Sequence, residues 1–326
     1  MPPFATRVDP VLHEKMAHAF KLVNKLAQSG LSFTFKGGTS IGLLCGSLDR
    51  FSIDVDILTT ASREELENHL QAITSQRDFT RFELDTKRSY RSRLPKAHYK
   101  IYFNSTYPGS GHVLLDVLYS SWEYPETFQG PFRNPITQEE LDSKIKVPSI
   151  SSLIGDKLSA FAPNTIGIPY VKGNYSRSLE IIKQLYDLNT LITQGYVHHV
   201  AFQTYQQTAL RECSFRNLDC SIDQCLDDTL TACITIASRG AIAFDHQRFT
   251  DLQNGIKSLG TGYLINKNFR IEEAALASGR VAILAQSFRS TPYSVPINPW
   301  PFIPKLAKTS QTAHDIWMQF WTSGSK

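Results

Sequence analysis

The chain has 326 residues, of which 41% are hydrophobic and 20% charged, with a formal net charge of +4. These values are typical of a globular protein with one large domain or two ordinary ones. No apolar run approaches the length of a membrane span, and residues 1–10 lack the apolar region of a signal peptide. We therefore expect a cytoplasmic protein with no membrane partner.

The cysteines do not predict a disulfide framework, because they are five in number and scattered along the chain. Three of them, Cys213, Cys220 and Cys225, are separated by six and four residues. This spacing is too loose for a zinc site. We interpret these residues as buried, reduced thiols rather than as metal ligands.

Hydrophobic periodicity predicts an α+β region at the start of the chain, beginning with an amphipathic helix over about residues 10–29. A strand, a Gly37-Gly38 turn, a short helix and an alternating strand follow. A helix with a capping box between Ser62 and Glu65 precedes two strands, which a loop with Pro and Gly joins into a hairpin. The predicted ranges are 31–35 and 51–58 for the first two strands, 39–45 for the short helix, and 98–103 and 112–119 for the hairpin.

The pattern changes after a Pro-containing connection at residues 124–148, beyond which the chain is mostly helical in period. The helical stretches are 149–162, 176–192 and about 196–288. The Pro-rich residues 290–304 are expected to be extended, with a short helix after them. We therefore expect an α+β domain at residues 1–148 and a mostly helical domain at residues 149–326.

Two aspartates one residue apart stand out in the second predicted strand. Asp54 and Asp56 project from the same face, about 7 Å apart, while Val55 lies on the other face. Two such close charges repel, and a hard cation such as Mg²⁺ relieves the repulsion. The alternative is a pair of solvated acids near a strand end.

A third acid, Asp116, lies in the strand at residues 112–119, which is apolar on both faces. A carboxylate in such a strand is costly unless it is paired or coordinated. Three aspartates on strands are able to hold two metal ions about 4 Å apart, an arrangement that serves phosphoryl chemistry. The alternative is that Asp116 lies at an exposed strand end or pairs with a nearby arginine.

The glycine pair supplies the second half of a candidate site. A strand followed by Gly37-Gly38 and a helix that begins at Thr39 and Ser40 presents backbone N–H groups to an anion, and the two hydroxyls are further donors. The segment is not a Walker A loop, because no Gly-Lys-Ser/Thr follows. Next to an Asp-x-Asp strand, it predicts a triphosphate site beside a metal site.

A basic stretch without acids runs from residue 86 to residue 104, with tyrosines interleaved. Such a patch suits a phosphate-rich partner such as a nucleic acid. The alternative is a solvated basic loop. The candidate acceptor-binding residues are Lys87, Arg88, Arg91, Arg93 and Lys96.

These motifs resemble those of the AbiEii/AbiGii-type nucleotidyltransferase toxins, a branch of the DNA polymerase β-like nucleotidyltransferase superfamily. "KGGTS" at residues 36–40 and "RFSIDVD" at residues 50–56 fill every position of the family's first motif. "GDKLSAF" and "KQLYDL" resemble two later motifs and supply Lys157 and Asp187. Gln184 departs from the family, which has an aspartate there. The resemblance covers roughly residues 15–193.

The resemblance implies a polymerase-β-like mixed sheet with helices, followed by a helical half that completes the nucleotide and acceptor site. It implies Mg²⁺-dependent transfer of a nucleoside monophosphate from an NTP, which is the substrate, to an acceptor such as tRNA. It also implies a toxin with a cognate antitoxin protein. In this reading Asp54, Asp56 and Asp116 bind metal. The nucleotide-binding residues are Lys36, Gly37, Gly38, Thr39, Ser40, Arg50 and Ser52.

The two later motif residues have expected roles and structural alternatives. Lys157 is expected to neutralise phosphate charge, and the alternative is a lysine that snorkels at the helix edge. Asp187 is expected to orient the nucleotide or the acceptor, and the alternative is a surface ion pair with Lys183, four residues earlier.

Two other functions compete with transfer to RNA. One is nucleotidyl transfer to a small molecule or to a protein side chain. The other is a binding module that keeps the fold but has lost catalysis, against which the three costly neighbouring aspartates argue. The hydrolase motif His-Glu-x-x-His is not found in the sequence.

Overall fold

The structure is a computed structural model that describes residues 9–46, 49–89, 95–109, 111–141, 143–241, 246–291 and 303–323. The chain divides into two compact units, Met1–Ser149 and Ile150–Lys326. None of the described helices is long and apolar enough to cross a membrane.

The first unit contains four helices and seven strands within its described residues. The helices are α1 (Pro10–Gln28), α2 (Gly37–Cys45), α3 (Arg63–Thr74) and α4 (Thr86–Ser89). The strands are β1 (Thr34–Lys36), β2 (Asp54–Thr59), β3 (Arg81–Leu84), β4 (Lys96–Phe103), β5 (Gly111–Tyr119), β6 (Thr127–Gly130) and β7 (Ile145–Pro148).

The seven strands form one sheet in the order β3-β4-β5-β2-β1-β7-β6. The pairs β2–β5 and β1–β7 are parallel, and the other neighbouring pairs are antiparallel. The sheet is therefore mixed, as predicted. The predicted hairpin is also confirmed, because β4 and β5 are antiparallel neighbours.

Helix α1 packs against the sheet through an apolar stripe. Met16, Phe20, Val23 and Leu26 have no exposed surface, and burial of each contributes about 1.5–3 kcal/mol. Asp9 begins the helix, because its side chain accepts hydrogen bonds from two backbone N–H groups of the first turn. The sequence prediction of this helix is confirmed.

Strand β5 differs from the prediction that it is apolar and buried on both faces. Val113, Leu115 and Val117 are buried on one face. Leu114 and Asp116 on the other face are only half-buried. Asp116 therefore keeps access to solvent, and its side chain is 27% exposed.

The second unit is mostly helical within its described residues, as predicted. Its helices are α5 (Ile150–Ala160), α6 (Ser178–Thr193), α7 (His198–Arg216), α8 (Ile222–Ala237), α9 (His246–Gly262), α10 (Ile271–Ser287), α11 (Ile303–Ala307) and α12 (Gln311–Ser323). One short hairpin, β8 (Val171–Lys172) with β9 (Tyr175–Ser176), separates α5 from α6. Most of the Pro-rich stretch predicted to be extended, residues 292–302, lies outside the described residues.

Candidate active site

Four ionisable side chains stand in one row across the sheet. His98 on β4 is the register partner of Asp116 on β5, Asp116 is the partner of Asp56 on β2, and Asp56 is the partner of Lys36 on β1. Residues directly opposite each other on paired strands project from the same face. The sheet therefore gathers two carboxylates between two basic side chains.

Asp54 extends this row along β2. It lies opposite Leu114 of β5 and on the same face as Asp56, while Val55 on the other face has no exposed surface. Asp54 is exposed and Asp56 is half-buried. The alternation predicted from the sequence is therefore present, and both carboxylates lie where a soluble ligand reaches them.

Asp116 is held by two basic side chains. Its Oδ1 atom lies 2.6 Å from Nδ1 of His98, and its Oδ2 atom accepts a hydrogen bond of 3.2 Å from Nη2 of Arg88. Arg88 lies on α4, whose start Asp85 fixes by accepting from the Arg88 backbone N–H at 3.1 Å. The sequence-based alternative that Asp116 pairs with a nearby arginine is thus confirmed, and His98 is an additional partner that sequence reasoning missed. Strand periodicity alone could not have found His98, because it faces Asp116 only through the register of the hairpin.

The three aspartates share a face but are not gathered as closely as the ligands of one ion. Among the described residues, one group of three potential metal ligands has all its ligand atoms within 4.8 Å of one another, and it consists of cysteines. Asp54, Asp56 and Asp116 do not form such a group. Asp116 pairs instead with His98 and Arg88. The donor set itself, carboxylates accessible on one face, suits a hard cation.

The glycine pair begins helix α2 rather than forming a separate turn before it. Gly37 has a φ of +81°, a conformation that side chains disfavour, and a Cβ atom there would collide with the Asp56 carboxylate. A Cβ atom on Gly38 would collide with the Arg50 guanidinium and the Ser52 hydroxyl. The missing side chains therefore let the start of α2 lie directly against Asp56, Arg50 and Ser52.

The two hydroxyls after the glycines have partners inside the protein. Thr39 Oγ1 donates to the carbonyl oxygen of Asp54 at 2.6 Å and lies 2.9 Å from Ser52 Oγ. Ser40 Oγ donates to the carbonyl oxygen of Gly37 at 2.9 Å. Both residues have no exposed surface. Thr39 therefore fastens the start of α2 to β2, and Ser40 is bonded within the first turn of α2, whereas the sequence predicted hydroxyls that face a phosphate.

Arg50 also belongs to the framework of this loop. It is 7% exposed, and its Nη1 atom donates to the carbonyl oxygen of Phe51 at 2.9 Å. Because the same guanidinium lies against Gly38, Arg50 packs against the start of α2.

Lys157 and Asp187 form a buried ion pair within the second unit. Nζ of Lys157 lies 2.7 Å from Oδ2 of Asp187, and the two side chains are only 6% and 4% exposed. Nζ also donates to Oε1 of Gln184 at 3.2 Å. The alternatives of a snorkelling lysine and of a surface pair between Asp187 and Lys183 are therefore wrong. Gln184, which departs from the family pattern, is a neutral partner of Lys157.

The basic stretch is described only in part. Lys87 and Arg88 are exposed on α4, and Lys96 is half-buried at the start of β4. Arg91 and Arg93, also predicted to contact the acceptor, lie outside the described residues.

Comparison with known proteins agrees with the chemistry of this site. The sequence profile of the family described as "Nucleotidyl transferase AbiEii toxin, Type IV TA system" matches residues 22–256. No curated protein matches the chain.

Three solved structures are similar in fold. The nucleotidyltransferase toxin MenT4 of Mycobacterium tuberculosis has a TM-score of 0.55 at 14% identity, over 95% of this chain and 93% of that one. A Helicobacter pylori protein assigned as a nucleotidyltransferase has a TM-score of 0.47 at 17% identity, over 93% and 99%. An antigenic nucleotidyltransferase-like protein of Paracoccidioides brasiliensis has a TM-score of 0.40 at 15% identity, over 64% and 90%.

The similarity to MenT4 shows a shared fold, and the profile match extends over more than two thirds of the chain. The chain therefore belongs to the AbiEii family of nucleotidyltransferase toxins of type IV toxin–antitoxin systems.

Proposed function

We propose that the protein transfers a nucleoside monophosphate from an NTP to a hydroxyl group of RNA, with release of pyrophosphate. The observation that carries the proposal is the row across β5, β2 and β1, where Asp116 and Asp56 are register partners beside the start of α2. Carboxylates next to a helix N-terminus are the parts that a triphosphate with its divalent cation requires.

Asp54 and Asp56 would hold Mg²⁺, with Asp116 as a third ligand, and the bound ion would neutralise charge on the triphosphate. Backbone N–H groups in the first turn of α2 would bind the distal phosphates. The side chain of the N-cap residue, Lys36, makes no capping hydrogen bond, so the backbone N–H groups of the first turn are suited to bind an anion. Lys36, the register partner of Asp56, adds a positive charge to the same row.

The reaction forms a bond between the acceptor oxygen and the α-phosphorus and breaks the bond from that phosphorus to the β-phosphate oxygen. Pyrophosphate leaves, and the proton of the acceptor hydroxyl passes to Asp116. His98 would orient Asp116 through the 2.6 Å contact. Arg88 would exchange its pairing with Asp116 for a phosphate of the acceptor, which frees the Oδ2 atom at the moment of transfer.

RNA is the favoured acceptor because the basic segment adjoins this row. Arg88 contacts Asp116 directly, and Lys87 next to it is exposed. Phosphate contacts dominate nucleic-acid affinity, so binding of RNA is expected to weaken steeply with salt. A small molecule or a protein remains the competing acceptor class.

In the second unit we propose that the Lys157–Asp187 pair holds α5 and α6 in position relative to each other. It joins α5 to α6, the two helices that carry the later family motifs, at a distance of 2.7 Å. Lys157 balances the Asp187 charge in this arrangement, so binding of a nucleotide phosphate by Lys157 would require the pair to open.

The test is incubation of the purified chain with each α-³²P-labelled NTP, Mg²⁺ and total cellular RNA. Label in RNA is expected with wild type, and none with Asp56→Asn or Asp116→Asn. Glu64→Gln is the control, since it also removes one exposed carboxylate in the same unit. Circular dichroism checks that all variants fold.

Label on protein or on a small molecule would redirect the proposal to the competing acceptors. Equal labelling of RNA by wild type and Asp56→Asn would disprove it. For the acceptor, Lys87→Ala is expected to weaken RNA binding and to reduce its salt dependence without disturbing Asp116.

A further inference from the structure

Three cysteines converge where α7 turns into α8. Cys213 lies in the last turn of α7, Cys220 in the connection and Cys225 in the first turn of α8. Their sulfur atoms all lie within 4.8 Å of one another, with 2.9 Å from Cys213 to Cys220 and 3.6 Å from Cys220 to Cys225. All three are free cysteines, and only Cys220 is partly exposed.

The fold of the turn explains why the spacing along the sequence was misleading. Asn217 ends α7 in the left-handed conformation, with a φ of 52°, and the Leu218 N–H donates to the Cys213 carbonyl oxygen at 2.9 Å. Ser221 then begins α8 with a capping box to Gln224. The chain reverses within these few residues. The cysteines therefore meet, although their spacing along the sequence is wider than in a zinc knuckle. The sequence-based argument against a metal site rested on spacing, and the fold brings the three sulfur atoms together despite that spacing.

The sulfur atoms lie near the separations that one metal ion requires. Zn–S bonds of about 2.3 Å place thiolates about 3.8–4.0 Å apart around one ion. The sulfur distances in the turn, from 2.9 Å to at most 4.8 Å, fall on both sides of this value. Small rotations of the side chains would equalise them.

We propose that Cys213, Cys220 and Cys225 bind one soft d¹⁰ cation, Zn²⁺ or Cu⁺, which clamps the α7–α8 turn. Soft thiolate ligands select these ions, and each thiol releases its proton to solvent on binding. Cu⁺ would be complete with three sulfurs. Zn²⁺ would take a water as its fourth ligand on the side where Cys220 is exposed.

A buried hydroxyl beside the cluster supports this assignment independently. Tyr205 has no exposed surface, and its hydroxyl has no hydrogen-bond partner among the described residues. It lies close enough to interact electrostatically with all three cysteines. A protonated thiol is a weak acceptor, whereas a metal-bound thiolate accepts a hydrogen bond well. Metal-bound thiolates would therefore attract the Tyr205 hydroxyl dipole more strongly than thiols do.

The test starts from the full chain, reduced and freed of metal by a chelator under anaerobic conditions. One arm adds Zn²⁺ and the other adds Cu⁺, each in competition with a chromophoric chelator. About one ion per chain is expected to be retained in the arm with the correct metal. The thermal unfolding temperature is expected to rise with that metal, and Co²⁺ is expected to give thiolate charge-transfer absorption.

The variants are chosen so that folding and metal binding are separable. Cys220→Ser, at the partly exposed position, is expected to bind at least about tenfold more weakly and to lose the thermal shift, while its circular dichroism is unchanged. Cys45→Ser, also a partly exposed cysteine, is the control and should bind like wild type. The proposal fails if neither ion is retained, if Cys220→Ser retains metal like wild type, or if the native protein contains a Cys213–Cys220 disulfide and binds no metal.

Discussion

The buried pair of Lys157 and Asp187 makes a quantitative prediction about stability. The two charges are 2.7 Å apart and almost completely withdrawn from water, so solvent screening does little to reduce the cost of separating them. Removing one partner of a buried ion pair typically costs about 3–5 kcal/mol, because the other charge is left uncompensated. Removing both charges costs much less.

The perturbation is a double-mutant cycle of Asp187→Asn and Lys157→Met. We expect Asp187→Asn to cost about 3 kcal/mol, at the lower end of the range, because Gln184 remains as an acceptor for the Lys157 ammonium group. Lys157→Met removes the cation 2.7 Å from a buried carboxylate and should cost more, about 4–5 kcal/mol. The double variant should lose only hydrogen bonds, about 1–2 kcal/mol.

The assay is urea unfolding followed by helical circular dichroism and by tryptophan fluorescence, to which Trp317, buried in the second unit, contributes. Glu140→Gln is the matched control, because it breaks an Arg133–Glu140 pair of similar length, 2.8 Å, whose side chains are 66% and 75% exposed. That change should cost at most about 0.5 kcal/mol. The reasoning is refuted if Asp187→Asn costs no more than this control, or if the two single changes add without coupling.

Two further predictions concern the first unit. Gly37→Ala is expected to abolish nucleotidyl transfer while the chain stays folded, because the new methyl group displaces the Asp56 carboxylate. Gly30→Ala is the control, since Gly30 has a similar positive φ but nothing within 4 Å of the added methyl group. It should cost about 1 kcal/mol of stability and leave activity unchanged. Loss of activity in both variants would point to backbone strain instead of the collision. His18, stacked on Phe103 with ring centroids 3.7 Å apart, has a pKa lowered from 6.5, chiefly by burial. The unfolded state therefore binds the His18 proton more tightly than the folded state does. The stability contributed by neutral His18 is complete above pH 6.5 and is lost as the pH falls through the lower pKa of the folded state. Urea unfolding at a series of pH values should show this loss in wild type and a smaller slope in His18→Phe, and an unchanged slope would contradict it.

The sequence alone determined the local structure and the family. Alternation around Val55 placed Asp54 and Asp56 on one face of a strand, because side chains on a strand alternate whatever surrounds them. The amphipathic stripe of α1 and the hairpin of β4 and β5 were predictable for the same reason: each depends on residues close together in the chain.

Only the tertiary structure decided which side chains meet. His98 and Arg88 reach Asp116 through the register of β4 with β5 and through the position of α4, neither of which periodicity specifies. Gly37 takes its importance from the Asp56 carboxylate that occupies the place of its missing side chain.

The second unit shows the same division. The sequence identified Lys157 and Asp187 as motif residues on separate helices, but only the packing of α5 against α6 made them partners of each other. Sequence spacing argued against a common site for Cys213, Cys220 and Cys225, and the reversal between α7 and α8 brought their sulfur atoms together. Distances across a fold depend on how helices and strands pack, and a linear sequence specifies that packing only through all of its residues at once.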